Sequence, residues 1–387
     1  MELAAWGWDE RWAEAWSAAA PTARSGPGAE AASERDEESL QPGRVTTRER
    51  TRWTVQTEDG FRQARVVTGA RGPAVGDWIA LRPGPSPDDP WSIEGILPRR
   101  SSFSRQAAGE RTDEQVVAAN VDTVWIVHGL DVAPNARRIE RYLALAWESG
   151  ARPEIVLTKA DVAVDLEEAR RLVESLAFGV PVHVVSVVAE GEAAGEADRP
   201  AGGGPGVDDG SDGLHALAER MVPGETVALL GPSGVGKSSL INRLAGEELL
   251  ATGDVRAADR KGRHTTTRRE LVRIESGALL LDTPGMRALQ VWDLDEGLGQ
   301  AFPEIEELAG RCRFRDCAHQ AEPGCAVLEA VQAGALASER LASYHKLQSE
   351  AAYQRRKVDP LAKAEAVAEW KSIIKSLKHH PKYRKGR

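Results

Sequence analysis

Between Arg44 and Leu97, apolar and polar positions alternate in short runs. An alternation with period two is typical of β-strands that have one buried face, and turn-forming pairs such as Asp59-Gly60 separate the runs. The pattern therefore predicts a small β-barrel over residues 43–97, of the oligonucleotide-binding (OB) kind. The pattern alone fits a generic β-domain as well as an RNA-binding one. The clearest runs are Trp53–Val55, Ala64–Val66 and Val75–Leu81.

After the barrel the pattern changes to buried strands that alternate with helices. Between the first two strands a helical spacing of apolar residues ends at Gly150. Such alternation predicts an α/β domain with a parallel, doubly wound sheet, which we place at residues 98–300. A Gly-, Ala- and acid-rich segment, 189–213, interrupts it and is predicted to be a disordered insertion. The predicted strands are Val121–Val127, Ile155–Thr158, Val182–Ser186, Thr226–Leu230 and Leu279–Leu281.

The two ends of the chain differ in composition from the predicted barrel and α/β domain. Residues 1–42 begin with Trp8, Trp12 and Trp16 at helical spacing and continue as a Pro-, Ser- and Glu-rich segment, which predicts a docked helix followed by a disordered spacer. Residues 301–345 contain all three cysteines, and residues 346–387 are helix-prone and basic. We therefore expect a small cysteine-containing helical domain and a basic helical tail.

The predicted strand Thr226–Leu230 leads into GPSGVGKSS, which fits the phosphate-binding loop pattern with Gly231, Gly236, Lys237 and Ser238. The glycines let backbone N–H groups converge on a polyphosphate, and the helix that follows adds the positive end of its dipole. Lys237 is expected to reach the β- and γ-phosphates, and Ser238 to bind Mg²⁺. The remaining loop positions assigned to the nucleotide are Ser233, Gly234, Val235 and Ser239.

Guanine is the predicted base, because Thr158-Lys159-Ala160-Asp161 follows another strand of the same sheet. The Asp161 carboxylate matches the N1–H and 2-amino donors of guanine, and the Lys159 stem can lie along the ring. Adenine offers that carboxylate no such donors, so a site of this kind discriminates strongly. Ser186, at the end of a third strand, stands where GTPases present a backbone N–H to the guanine oxygen.

The sequence DTPG after the last predicted strand supplies Asp282 for Mg²⁺ and Gly285 for the γ-phosphate. Upstream, GRHTTT offers hydroxyl groups for a switch loop. Met286 stands where many GTPases have a water-orienting Gln, which leaves His264 as the group best able to assist hydrolysis; an exposed loop histidine is the alternative. The guanine elements precede the phosphate loop, so the sequence predicts a circularly permuted GTPase.

The cysteines lie close together with one histidine, as Cys312, Cys317, His319 and Cys325. Three thiolates and one imidazole complete a tetrahedral zinc shell, which leaves no position open for catalysis, so we predict one structural zinc ion. Disulfide bonding is disfavoured by the odd number of cysteines and the expected reducing compartment. Three unrelated buried thiols are the alternative.

The net charge is −9, and most of the excess acid lies in residues 1–42 and 189–213, so the folded parts and the tail are mildly basic. We expect a cytoplasmic protein without a membrane-spanning segment or a secretory signal. Basic residues near the barrel and the switch predict contacts with RNA in addition to the tail. They are Arg99, Arg100, Arg105, Arg260, Lys261, Arg263, Arg268 and Arg269.

Taken together, these motifs resemble a family of circularly permuted bacterial GTPases, the ribosome small subunit-dependent GTPase A family. Further marks are AANVDTVWIV, RRIERYLALAWESGA and the EPGC that ends the cysteine pattern. The resemblance implies an OB barrel, a permuted GTPase domain and a zinc domain. It also implies late maturation of the 30S subunit, with contacts to 16S rRNA and conversion of GTP to GDP stimulated by that subunit. We expect a monomer.

Within this family His264 looks like the catalytic histidine and Thr266 like the switch threonine that binds Mg²⁺. Thr158 stands where the family has Asn, which predicts a weaker tether to the phosphate loop, and Val187 replaces an Ala. Two other functions compete: a GTP-gated RNA-binding checkpoint in which hydrolysis only resets occupancy, and an ATP-dependent phosphoryl transferase. Asp161 disfavours the last.

Overall fold

The computed structural model describes residues 2–19, 40–66, 72–86, 89–106, 114–187, 211–246, 270–282 and 295–358. The chain divides into two compact units. The first comprises Met1–Ser104 and Val116–Leu289, and the second comprises Arg105–Gln115 and Gln290–Arg387.

Five strands at the start of the first unit form a closed barrel, as predicted. The strands are β1 (Gln41–Glu49), β2 (Arg52–Thr57), β3 (Gly60–Val66), β4 (Trp78–Arg82) and β5 (Trp91–Ile96). Their order is β1-β2-β3-β5-β4, and β4 pairs back onto β1. The strands β3 and β5 are parallel, and the other pairs are antiparallel. Alternate apolar side chains fill the interior, among them the completely buried Val55 and Trp78.

The remaining strands of this unit include β8 (Thr123–Gly129), β9 (Arg152–Thr158), β10 (Val182–Val184), β11 (Thr226–Leu230), β12 (Glu270–Arg273) and β13 (Leu279–Asp282). Five of them are parallel, in the order β10-β9-β8-β11-β13, and β12 runs antiparallel to β13. Strands β6 (Ser102–Gln106) and β7 (Glu114–Ala119) form a separate two-stranded sheet. Because β12 also pairs with β1, barrel and parallel sheet form one sheet of eleven strands.

Helices connect the parallel strands, as the alternating pattern predicts. They are α2 (Ala136–Glu148), α3 (Leu166–Leu176), α4 (Ser211–Glu219) and α5 (Lys237–Ala245), and a 3-10 turn covers Ala160–Val162. The core between α5 and the sheet contains Trp125, Val227 and Leu240, each at most 2% exposed. Most of the predicted insertion, 189–213, lies outside the described residues, but its last three residues belong to α4.

The N-terminal segment packs on the barrel through tryptophans. A 3-10 turn, Leu3–Trp6, precedes α1 (Glu10–Ala19). The rings of Trp8 and Trp12 lie 4.8 and 6.0 Å from that of Trp78. Trp8 lies before the helix and not on its predicted face, because the Asp9 carboxylate accepts the Trp12 N–H at 2.9 Å and so caps the helix after Trp8.

Arg44 joins the barrel to the parallel sheet from a completely buried position. Its guanidinium donates to the Trp6 carbonyl, to the Asn120 carbonyl at 3.1 Å and to the Thr226 hydroxyl at 2.6 Å. Burial lowers the pKa of Arg44 to about 10, so the group remains charged at neutral pH. One cation therefore holds the N-terminal turn, the barrel and the start of β11 together.

Two of the arginines predicted to contact RNA form ion pairs within the first unit. Arg99 donates to both oxygens of the buried Asp77 carboxylate, at 2.7 Å each. Arg100 pairs in the same two-pronged way with Asp9 and stacks over Trp12. Two-pronged ion pairs of this kind are strong. These guanidinium groups therefore stabilise the contacts of the barrel with the N-terminal segment and with the residues that follow β5. Arg105 donates to Gln115 within the second unit, and the basic residues at 260–269 lie outside the described residues.

Glu154 ties β9 to β10 and to the residue after α4. Its carboxylate lies 3.1 Å from His183 Nε2 and 2.5 Å from the Arg220 guanidinium. Burial by itself raises the pKa of Glu154, but the hydrogen bonds from His183 and Arg220 outweigh it and bring the pKa down to about 2.

Since the pKa of Glu154 is lower in the folded state, its contribution to stability is present above the ordinary value of 4.5 and is lost as pH falls toward 2. We expect Glu154→Gln to reduce the free energy of unfolding by roughly 2 kcal/mol at pH 7. In urea unfolding, the gap to the wild type should close between pH 4.5 and 2. The exposed Glu219→Gln serves as control, and a gap independent of pH would contradict the assignment.

The second unit is helical and has its own core. Phe302 and Ile305 are completely buried, and the Phe302 ring meets Tyr344 edge-on at 5.6 Å. Arg340 donates to Glu304 at 2.5 Å and stacks over Phe302. The helices are α6 (Asp295–Ala301), α7 (Pro303–Ala309), α8 (Ala326–Gln332) and α9 (Ser338–Val358).

The predicted boundary at 345/346 falls inside α9, and residues 359–387 of the predicted tail lie outside the described part of the chain. None of the helices in the described ranges is both long and apolar enough to span a membrane.

Candidate nucleotide site and metal centre

The phosphate-loop sequence lies between the carboxyl end of β11 and the first turn of α5, as predicted. A side chain at Gly231 would place its Cβ 2.5 Å from the Val127 carbonyl oxygen, so only glycine fits beside β8. Gly234 and Gly236 have φ of 82° and 90°, which other residues rarely adopt. At Gly234 the space beside the backbone is open. The loop is therefore close to the sheet at its start and open at its middle.

Lys237 is the first residue of α5, with Gly236 as its N-cap. Its ammonium group folds back and donates to the carbonyl oxygens of Gly231, at 2.8 Å, and of Pro232. The positive charge thus lies over the loop, at the positive end of the helix dipole. Ser238 and Ser239 follow in the same first turn and are half-buried. This arrangement of N–H groups, ammonium and hydroxyls suits a polyphosphate.

Thr158 connects the predicted guanine loop to the phosphate loop. It is completely buried, and its hydroxyl lies 2.5 Å from the Val235 carbonyl oxygen and 3.3 Å from that of His128. A hydroxyl has one proton to donate, so the shorter contact is the hydrogen bond. A direct tether is therefore present although Thr replaces the family's Asn, which has two amide protons.

The two predicted guanine elements also meet each other. The Ser186 hydroxyl donates to Asp161 Oδ1 at 2.6 Å, and the Ala160 N–H donates to the Val185 carbonyl at 3.3 Å. Lys159 has left-handed backbone geometry, with φ of 60°. Because β9, β10 and β11 are parallel, their carboxyl ends bring all of these residues to one edge of the sheet.

The four predicted zinc ligands form a compact cluster in the second unit. Their ligand atoms all lie within 4.8 Å of one another. Two thiolates at about 2.3 Å from a tetrahedral zinc ion are separated by roughly 3.8 Å, and a thiolate and an imidazole nitrogen by roughly 3.5 Å. The Cys312 and Cys325 sulphurs are 3.8 Å apart, and His319 Nδ1 lies 3.7 and 3.4 Å from them. The cluster fits one zinc ion.

The loop that carries the histidine is held by backbone hydrogen bonds to one carboxylate. Glu322 accepts the N–H groups of Ala318, Gln320 and Ala321 at 2.8 to 3.0 Å. These bonds, that of Ala321 first, lower the pKa of Glu322 to about 2. His319 itself has φ of 57°. The Glu322 carboxylate thus stabilises the tight loop in which His319 turns toward the cysteines.

Comparison with known proteins agrees with this architecture. The model of the family described as RsgA GTPase matches residues 96–196 and 207–292. A protein of Opitutus terrae named small ribosomal subunit biogenesis GTPase RsgA is 47% identical over 316 residues, which cover 79% of this chain and 80% of the relative. The protein of that name from Streptomyces coelicolor is 41% identical over 95% of this chain and 92% of its own length. The chain belongs to the RsgA GTPase family.

As a member of the RsgA family, the protein is a GTPase. Its fold is also similar to the crystal structure of YjeQ from Thermotoga maritima, with a TM-score of 0.56 and 25% identity over 81% of this chain and 98% of that structure. The predicted family and the predicted fold class, with barrel, permuted GTPase domain and cysteine-histidine cluster, are both confirmed.

Several RsgA site residues predicted from the sequence lie outside the described residues, namely His264, Thr266 and Gly285. Asp282 ends β13, at the same edge of the sheet as the phosphate loop, but only its backbone is described. The proposed roles of these four residues therefore rest on sequence alone.

One residue at this edge was absent from the sequence predictions. Asp131, two residues after β8, accepts a hydrogen bond from the Lys159 ammonium at 2.7 Å. A polar residue at or just beyond the end of a buried strand is the signal that marks Thr158, the last residue of β9. The same signal at the end of β8 points to Asp131. The sequence does not show that its partner is Lys159.

Proposed function

We propose that the protein binds the 30S ribosomal subunit and assists its late maturation, hydrolysing GTP to GDP and phosphate with stimulation by that subunit. The observation that carries the nucleotide part is the meeting of three loops at one edge of the parallel sheet. Hydrogen bonds from Thr158 to Val235 and from Ser186 to Asp161 link the phosphate loop to both guanine elements.

In this proposal, Asp161 accepts the two donors of guanine, Ser186 offers a backbone N–H, and Lys159 lies along the ring. The loop from Gly231 to Ser239 holds the phosphates, and Gly285 contacts the γ-phosphate. Ser238 and Thr266, with Asp282 nearby, would hold Mg²⁺, which neutralises phosphate charge. Ser238 fits this role, because it follows Lys237 in the first turn of α5.

For hydrolysis we assign His264 the part that a Gln plays in many GTPases. Met286, in the position after Gly285, has no group that orients water. A catalytic histidine in a switch loop becomes effective only when the loop is held in place. Stimulation by the ribosomal subunit would follow if contact with the subunit places His264 beside the attacking water.

The ribosomal partner is supported by the relatives, which are named small ribosomal subunit biogenesis GTPases. The barrel offers a surface for 16S rRNA: an open cleft of about 720 Å³ runs along β3 and the loop before β5. Phe61 in this cleft is 56% exposed, and Arg62 lies over the Trp91 ring at 5.7 Å. Aromatic rings beside a cation suit unpaired bases, and OB barrels bind oligonucleotides on this side.

For the other features we propose that the zinc ion is structural and that the basic tail contacts rRNA phosphates. The protein would act in the cytoplasm as a monomer.

The direct test is phosphate release from GTP and from ATP, with and without purified 30S subunits. We expect slow turnover of GTP alone, a large increase with 30S and no turnover of ATP. Purified 50S subunits serve as control for nonspecific RNA effects. A rate of GTP turnover that does not change when 30S is added would contradict the ribosomal role. ATP turnover as fast as GTP turnover would contradict the guanine site.

A further inference from the structure

The carboxylate of Asp131 is held against the predicted guanine loop. Asp131 Oδ2 lies 2.7 Å from Lys159 Nζ, with side-chain exposures of 44% and 28%. The hydrogen bond from Lys159 lowers the pKa of Asp131, so the carboxylate is ionised at neutral pH. Lys159 lies in the TKAD sequence that follows β9, whereas Asp131 follows the neighbouring strand β8.

The path of the lysine side chain between these two loops depends on Gly129. A Cβ added at this glycine would lie 2.6 Å from Asp131 Oδ1, 3.4 Å from Lys159 Cδ and 3.5 Å from Val235 Cα. The aliphatic stem of Lys159 therefore passes over Gly129, next to the phosphate loop, before its ammonium group reaches Asp131. The side chain lies along the wall of the site, and 28% of its surface is exposed.

We propose that Asp131 is a positioning residue for the guanine nucleotide: by anchoring the ammonium group it holds the Lys159 stem where the base packs. This inference rests on the proposed function, in which Lys159 lies along the ring. A free lysine side chain samples many rotamers, and their loss opposes binding. An anchor that orders the chain beforehand reduces that loss, so nucleotide affinity rises without a direct contact.

The test is dissociation of fluorescent mant-GDP from the full-length protein carrying Asp131→Asn. We expect release to be roughly 2- to 5-fold faster than from the wild type, which corresponds to the contribution of a partly exposed ion pair. The difference should shrink as KCl is raised toward 1 M, because salt screens exposed pairs. The matched control is Glu174→Gln, which removes an equally exposed carboxylate 2.8 Å from Arg170 on α3. It should release mant-GDP at the wild-type rate.

A second variant separates positioning from direct contact. Lys159→Met keeps an unbranched stem but has no ammonium group, so Asp131→Asn should have no further effect when added to it. Mant-2′-deoxy-GDP should show the same ratio between variant and wild type, because the proposal involves the base. An additive effect in the double variant, or a ratio that falls to one with the deoxy nucleotide, would overturn the proposal in favour of contact with the nucleotide itself.

The inference and the proposed function fail differently. If the wild type did not bind mant-GDP, or if ATP displaced it as well as GTP, the guanine site itself would be wrong. If the wild type bound guanine nucleotides specifically and Asp131→Asn released them at the wild-type rate, only the role of Asp131 would be wrong.

Discussion

Replacing Lys237 by alanine is expected to lower the 30S-stimulated rate of GTP turnover by roughly 10²- to 10³-fold or more. The Lys237 ammonium already lies over the phosphate loop, on the carbonyl oxygens of Gly231 and Pro232. When nucleotide binds, this charge has phosphate oxygens within reach and stabilises the negative charge that moves during transfer. Alanine has no such charge.

The loop itself should survive this substitution. Its shape depends on Gly231, which lies against β8, and on the positive φ of Gly234 and Gly236. The free energy of unfolding is therefore expected to change by no more than about 1 kcal/mol. Phosphate release with saturating 30S measures the effect.

The matched control for Lys237→Ala is Arg243→Ala, an exposed basic residue in the last turn of the same helix. It should keep full turnover. If Lys237→Ala also kept full turnover, the loop would not be the phosphate site.

The second large effect is expected on the stability of the second unit when a ligand of the metal cluster is removed. We expect Cys325→Ser to remove the zinc ion and to destabilise the second unit by roughly 5 kcal/mol or more, since structural zinc sites contribute much of the folding energy of small domains. Cys325 is 2% exposed and is the N-cap residue of α8. Its sulphur lies within 3.8 Å of both Cys312 Sγ and His319 Nδ1, so its loss opens the tetrahedron.

Two measurements check the zinc prediction. Elemental analysis should give one zinc per wild-type chain and none for Cys325→Ser. Amide hydrogen exchange should show lost protection in α8 and in residues 311–325, while β8 and β11 stay protected. Asp316→Asn, an exposed non-ligand beside Cys317, should retain the metal. Wild-type protein that contains no zinc, or that keeps its protection after chelation, would contradict the assignment.

The sequence is most informative where function depends on neighbouring residues. The phosphate loop, the TKAD element and the zinc ligands are short patterns, each flanked by a strand or a turn that the apolar pattern also predicts. The barrel strands were predicted for the same reason, because alternation is a local property. The boundaries that we drew from the sequence do not coincide with helix ends: residues 211–213 belong to α4, and α9 continues past 345. The helix propensity of the sequence does not change at these positions. Packing in the folded protein decides where each helix begins and ends.

The partners of the arginine side chains are the feature that the sequence predicts least well. From the sequence, Arg99 and Arg100 are members of a basic stretch, and a surface for RNA is the natural expectation. In the structure, Asp77 and Asp9 hold them through two-pronged ion pairs, and Asp9 lies 91 residues away from Arg100 in the chain. Nothing in the local composition shows whether a cation meets solvent or a buried carboxylate.

The sequence by itself therefore determined the family, the permuted order of parts and most of the residues proposed to bind nucleotide and metal, because these are encoded in contiguous motifs. Only the tertiary structure decided which motifs touch. Arg44 and Thr226 are 182 residues apart, Thr158 and Val235 are 77, and Asp131 and Lys159 are 28. The parallel sheet places the last two pairs together at the carboxyl ends of β8, β9 and β11. Strand order is set by packing of the whole domain rather than by any local pattern.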